Sequence, residues 1–475
     1  LFESEQDIIY YIKPEIVVIS RIPNLSCGLL LTRGGKFMDA HERKVERVSR
    51  MLKERKSCEP LSLKKKAVSH QVPKPNDKRH ADEKLDISDF DEIIEINEDT
   101  CTCIAEPGVT FERLVDATIS HGLVPFVVPE LKTITIGGAV AGCSIESTSY
   151  RFGGFHDSCM EYEVVTARGD VLDCTPDNEN RLLFQMVNGT FGTLGIIALL
   201  KFKLMPAKPF VKVNYKKYKN LGDYKNAIWE HYVKQDLDFM DGIIHSPNEY
   251  VLSEGNFVDK APYAHKYDWT GIYYLTTAKR EEDFLRTADY FFRYDKGVTN
   301  VHPKSLLLRL LLGKLVNSNT TLRLANKLKR VLPEGIIPIT LDTFIPFSRI
   351  EEFMEWHEEK INHFPLWCVP YRIVQKYEWI SDEFFDMVED ELFLDIAIYG
   401  MRRKDQLTYY RMIEKKLFEL GAIKTLISTN LYAEDEFWKI WNKKNFDEVK
   451  HQTDPDNILR GLHEKTCRAS RGLGR

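Results

Sequence analysis

VPELKTITIGGAVAGCSIESTSYRFG, residues 128–153, is the stretch on which the reading of this protein turns. An apolar run ends in Gly137 and Gly138, and paired glycines let a backbone come close to a bulky group. Alanine, glycine or serine at 139, 141, 142 and 144 leaves room for something large to lie along the backbone. Ser144, Ser147, Thr148 and Ser149 add hydroxyl donors. Oriented amides of this kind neutralise a diphosphate without many lysines, so the N–H groups of Gly137 and Gly138 are expected to clasp one.

A second glycine-rich segment points the same way. Asn188-Gly-Thr-Phe-Gly-Thr-Leu-Gly-Ile-Ile197 has glycines at 189, 192 and 195 and leads into an apolar strand. It is not the G-x-G-x-x-G turn of a dinucleotide fold, and no strand–loop–helix frame surrounds it. Between the two segments lie the strands Tyr162–Arg168 and Val171–Cys174, joined through Arg-Gly-Asp. Two such segments separated by a strand hairpin imply a cofactor folded between them.

Working outward, residues 41–56 form a charged helix with Val45, Val48, Met51 and Leu52 as its apolar stripe. Short strands are expected at 91–97 and 101–105, then an amphipathic helix from the N-cap Thr110 to the stop at Gly122. Leu182–Val187 reads as a short helix and Gly195–Met205 as a strand. Beyond Pro206 and Pro209 aromatics become dense and glycine-rich loops vanish, which marks a second domain. The expected divisions are a 1–40 extension, a cofactor domain 41–208, a substrate domain 209–440, and a 441–475 segment returning to the first. Nine scattered cysteines without a C-x-x-C pair suit reduced thiols, and no metal ligand set is visible. A net charge of -5 gives no global reason to expect nucleic acid.

These residues carry a family resemblance. The sequence resembles the vanillyl-alcohol-oxidase-type, or PCMH-type, FAD-binding flavoproteins, and within them the Δ24-sterol reductase branch. Besides 128–153, the colinear matches are EVVTARGDVLDCTP at 163–176, GTLGIIALLKFKLMPAKPFVKV at 192–213, FPLWCVPYRI at 364–373, LDIAIYG at 394–400 and DEFWKIW at 435–441. The resemblance implies an α+β fold, with an FAD-binding domain of two α+β subdomains followed by a mixed α/β cap. It implies noncovalent FAD, with NADPH as reductant. Ile136, Gly137, Gly138, Ala139, Gly142, Ser144, Ile145, Glu146 and Ser147 would line the flavin and its diphosphate. Tyr150 and Gly153 would complete that wall, and Gly195, Ile196 and Ile197 would lie by the adenine. One departure stands out: where the family has a glycine-rich diphosphate loop after the first helix, residues 56–63 contain no glycine.

The implied reaction is reduction of a carbon–carbon double bond in the side chain of a sterol or related lipid. It needs an acid near the cofactor, an apolar slot and exclusion of water. Tyr399 and Glu146 are the candidate proton sources, and Trp356, Phe364, Trp367, Tyr371 and Phe393 are candidate slot material. The alternatives on the same fold are an alcohol, polyol or sugar oxidase or dehydrogenase, an alkylglycerone-phosphate-synthase-like transferase, and a flavin-binding scaffold without turnover. The basic, leucine-rich stretch 304–330 suits contact with an anionic membrane surface. The expected location is cytoplasmic or peripheral to an intracellular membrane, because no run of about 20 apolar residues is present.

Overall fold

The computed structural model describes residues 35–67, 76–268, 271–297, 299–300 and 338–474. The stretch 304–330 lies outside these residues.

The first unit is built around strand Ile196–Pro206. Its residues alternate in burial, with Ile196, Ala198, Leu200, Phe202 and Leu204 turned inward, as a pleated strand requires. It is central to a six-stranded sheet in the order Ile93–Asn97, Thr102–Ala105, Ile196–Pro206, Cys159–Val165, Val171–Cys174. Leu123–Pro125 pairs with its far end. Helix Phe111–Ile119 buries Phe111, Leu114, Val115 and Thr118 against this unit, the spacing of one helical face. Thr110 caps it by accepting from the Arg113 amide. Helix Gly35–Lys53 sets Val45, Val48 and Leu52 into a cluster with Val165, Ala167, Ile196 and Ala198. Met51, expected in the same stripe, is instead exposed, because only a narrow face of the helix meets the sheet. Two parallel strands, Leu61–Lys64 and Glu83–Asp86, stand beside it.

The second unit is a nine-stranded antiparallel sheet. Its strands Leu366–Arg372 and Leu392–Met401 are buried along nearly their whole length, and the alternation is hidden because both faces are covered. Leu366, Cys368, Leu394, Ile396 and Ile398 pack with helices Leu221–Lys234, Ile350–Lys360 and Gln406–Glu419. Trp367, Val369, Tyr371, Phe393, Ala397 and Tyr399 belong to the core shared with the first unit. That second face closes over the glycine-rich segments.

The backbone then returns to its beginning. The Leu61 amide donates to Ile458 O at 2.8 Å, the Ala167 amide to Thr453 O at 2.9 Å, and Arg460 pairs with the buried Asp82 at 2.7 Å. The eight cysteines among the described residues are all free thiols.

Candidate active site

Residues 136–142, read from sequence as an apolar run ending in a turn, form a short helix capped by Thr135. This changes the role of the two glycines. The Gly137 amide donates to Pro107 O at 3.0 Å and the Gly138 amide to Thr135 Oγ1 at 3.2 Å. Neither is a bare donor awaiting an anion, so the expectation that they clasp a diphosphate is corrected. What they contribute is closeness. A Cβ on Gly137 would lie 2.5 Å from the Pro107 ring, so the helix can only seat there without one.

The helix forms one wall of a cleft of about 1040 Å³ between the two units. That is the upper end of the range for ligand sites, roughly 300–1,000 Å³. Gly137, Gly138, Gly142, Ser144, Ile145, Gly195, Ile197 and Tyr399 line it. The two glycine-rich segments meet along this wall, where the amides of Gly189 and Phe191 donate to Val140 O and Ala141 O.

Seven of the expected residues do not line the cleft. Ile136 and Ala139 sit on the core side of their helix. Ile196 turns to the opposite sheet face from Ile197 and packs beneath helix Gly35–Lys53. Tyr150 is wholly buried with the second unit's core, its hydroxyl donating to Leu237 O. Ser147 lies under Tyr290 and accepts the Met240 amide through its carbonyl. Gly153 has a φ of 76° and backs onto the Asp157 carboxylate. Glu146, expected as a proton source, is 2 % exposed and paired with Arg293 at 3.2 Å. Arg293 also holds Asp241 at 3.0 Å. Its guanidinium lies over Tyr290, 4.1 Å from the ring centre. Glu146 therefore joins the two units, facing away from the cleft.

Cations gather on the cleft wall where the glycine-rich loop of the family is missing. Lys64 and Lys84 lie on the two parallel strands, Lys65, Lys66 and Arg79 on the segment joining them, and Lys465 on the returning C-terminal segment. Lys465 donates to Phe191 O at 2.6 Å. Burial first, then the charges of Arg79, Lys450 and Lys65, pulls its pKa down to about 7. Lys65 lines the cleft with an exposed side chain, and desolvation by the protein around it lowers its pKa as well. Lys64, Lys66 and Arg79 are paired with Asp86, Asp91 and Asp77 at 2.6–2.7 Å.

At the other end the lining turns acidic and aromatic, with Glu130, Asp342, Asp395, Tyr399, Trp367 and Phe344. Burial raises Glu130 to about 8 and lifts Asp342 and Asp395 as well. These carboxyls escaped the sequence reading because nothing in their spacing joins 130, 342 and 395. The alternation that turns Tyr399 inward does, however, turn Asp395 inward too. Among the described residues no group of His, Cys, Asp and Glu is arranged to hold a metal ion.

Next to this end opens a narrower slot of about 110 Å³, walled by Tyr371, Ile373, Tyr377, Trp379, Phe384 and Phe393. Gly142, Cys143, Ile145, Phe191, Phe344 and Thr425 line both cavities.

Residues 76–175 match the FAD binding domain family. The protein is 23% identical to the human Delta(24)-sterol reductase over 403 residues, covering 80% of this chain and 77% of that protein. It is 24% identical to a Delta(24)-sterol reductase homolog of Caenorhabditis elegans, covering 91% and 89%. To the Arabidopsis thaliana Delta(24)-sterol reductase it is 23% identical, covering 87% and 82%. A shorter match, 27% over 140 residues, joins it to cytokinin dehydrogenase 5 of Arabidopsis thaliana.

Proposed function

We propose that this protein, which carries an FAD binding domain and is similar along most of its length to Delta(24)-sterol reductases, is an FAD-dependent reductase. Its target is a carbon–carbon double bond in the side chain of a sterol or related lipid. The observation that carries the reading is the cleft itself: a cationic end, a glycine-rich wall, and an acidic end that opens into an apolar slot.

The residues present fit FAD. At Gly142 an added Cβ would have only Ile427 Cγ2 near it, at 3.9 Å, so the space over this glycine belongs to the cleft. Lys65, Arg79 and Lys465 would hold the diphosphate by charge, in place of loop amides. Gly138, Gly142, Ser144 and Ile145 would border the flavin, with Gly195 and Ile197 beside the adenine. When bound and reduced, FAD supplies a hydride. NADPH is the reductant that the family resemblance implies, and it would reach the same cleft in alternation with the lipid.

The slot is far smaller than a site for a whole drug-sized ligand. It therefore accepts one branched end of a lipid and leaves the bulk of the molecule outside. Tyr371, Trp379 and Phe393 exclude water around that end, which strengthens every polar contact at its mouth. The mouth is where the carboxyls stand, so an alkene carbon leaving the slot meets the acids and the cofactor together. The basic stretch 304–330 would bring the protein to the anionic membrane surface from which such a lipid comes.

The test is an anaerobic titration of purified, FAD-loaded protein. NADPH should bleach the flavin, and a Δ24 sterol should restore its colour with formation of the saturated product. Bleaching by a small alcohol with no response to any lipid alkene would sink the reading in favour of an oxidase. A colourless protein that takes up no added FAD would leave only a scaffold.

A further inference from the structure

Resting on that reading of the site, we propose that Tyr399 hands the proton to the substrate carbon, and that Asp342, with Thr425, forms the relay that holds and refills it at the junction of cleft and slot.

Three observations converge there. Tyr399 lines the cleft, on the face of strand Leu392–Met401 that looks toward the first unit, and its hydroxyl is bonded to Asp342 Oδ1. The other Asp342 oxygen accepts from Thr425 Oγ1 at 3.3 Å. Thr425 lines both cavities, so this three-residue relay spans the point where the apolar slot gives way to the polar cleft. The slot's own hydroxyls, Tyr371 and Tyr377, bond to each other, and Tyr377 donates to Asp157 at 2.9 Å, but neither lines the cleft as Tyr399 does.

Charge leads to the same place. Asp342, Asp395 and Glu130 all line the cleft. Among the described residues none of them is paired with a lysine or arginine, unlike Glu146 and Asp241, which share Arg293. Asp395 accepts the amide of Thr343, the residue after Asp342, at 3.0 Å and stands opposite Phe344 across the strand pair. Carboxyls that share a dry cavity without a cation are pushed toward their protonated forms. Burial is the leading cause of the rise in each; the Asp342 charge adds to it at Asp395, and the charges of Asp342, Glu146 and Asp295 add to it at Glu130. Tyr399 itself is held neutral, first by burial and then by Asp342, Glu130 and Asp395. The site therefore favours the protonated form of its carboxyls, beside a hydroxyl that burial holds neutral.

The step balances. The Tyr399 O–H bond breaks as a C–H bond forms at one alkene carbon, while the hydride from reduced FAD forms the C–H bond at the other. In the structure the Tyr399 hydroxyl donates to Asp342; turned toward the alkene carbon, it would accept the hydrogen of the protonated Asp342 carboxyl, which is left as carboxylate, so no tyrosinate accumulates. Asp395 or Glu130 reprotonates Asp342, and water entering the cleft between turnovers restores them. Tyr399 touches the substrate and is the catalytic residue; Asp342 and Thr425 act through it.

The experiment separates the two half-reactions by anaerobic stopped flow on the full-length, FAD-loaded protein, with NADPH and then a Δ24 sterol. Y399F and D342N should still bleach with NADPH, but should recolour with sterol about 100-fold more slowly or worse, the range for loss of a general acid. T425V should fall between them and the parent protein. The parent's recolouring rate should decline as pH rises and carry a solvent isotope effect, and D342N should lose the pH dependence. Infrared spectra at neutral pH add a readout independent of turnover: the carbonyl band of protonated carboxylic acid should diminish in D342N. Recolouring of Y399F at the parent rate would overturn the proposal while leaving the reductase reading intact. A parent protein that bleaches yet never recolours with a lipid alkene would overturn that reading, and the proposal with it.

Discussion

Gly137 and Gly142 lie five residues apart in one short helix, and they answer different demands. Gly137 is small because Pro107 occupies its Cβ position, with the proline carbonyl at 3.0 Å. G137A should therefore destabilise the fold by about 1–3 kcal/mol, the usual penalty of overpacking, seen as a lowered unfolding midpoint without cofactor. Gly142 is small because the cleft needs the space. G142V should unfold at the parent temperature and lose at least about tenfold in FAD affinity, or about 1.4 kcal/mol, by fluorescence titration. If both variants failed to fold, the division between packing and cofactor space would be wrong. Lys465 makes a pH-dependent counterpart. Its pKa near 7 should rise when an anion binds beside it, so binding takes up a proton above neutrality and affinity falls as pH increases. K465M should bind FAD more weakly near pH 6.5 and show a flatter profile up to about pH 8.5. Its affinity should also depend less on salt.

Among the elements, strand Leu392–Met401 does the most to join fold and chemistry. From Leu392 to Tyr399, even-numbered residues pack on helices and Phe393, Ala397 and Tyr399 face the first unit, so one stretch of backbone delivers Phe393 to the slot and Asp395 and Tyr399 to the cleft. A slip of one residue would exchange every one of these for an aliphatic side chain. The strand holds its register partly because Asp395 and Ile396 receive the Thr343 amide and hydroxyl. The join between the units rests on another element, the segment bearing Arg293 between Glu146 and Asp241. R293M strands two buried carboxylates and should cost about 3–5 kcal/mol in chemical denaturation. Adding E146Q should recover part of that loss. An R293M protein as stable as the parent would show that the triad does not hold the units together.

For the whole molecule, the acidic end of the cleft has a thermodynamic consequence. Glu130 holds its proton to about pH 8, against an ordinary value of 4.5, chiefly through burial. A folded-state pKa raised in this way means that the folded form binds the extra proton. Its contribution to stability is whole below the unfolded value and is lost as pH climbs through the folded one. The protein should therefore lose thermal stability across that window, and E130Q should lose less; a parallel decline in both would remove Glu130 from the account. No helix among the described residues is long and apolar enough to cross a membrane.

The spacing of glycines in 128–153 and 188–197 was enough to locate one wall of the cleft, because small residues crowd into sequence wherever a backbone must leave room beside it. Periodicity likewise revealed helix Phe111–Ile119 with its Thr110 cap and strand Ile196–Pro206, since local pattern and local geometry coincide there. Hydrogen bonding was beyond its reach: whether the Gly137 and Gly138 amides were free depended on Pro107 O and Thr135 Oγ1. The facing of Glu146 depended on Arg293, far along the sequence. The carboxyls at 130, 342 and 395, and the lysines at 65 and 465, come together only because the backbone crosses between two sheets and then returns. Residues that act in concert across such distances leave no spacing behind, since their meeting is decided by burial and by which face of each strand the neighbouring unit covers.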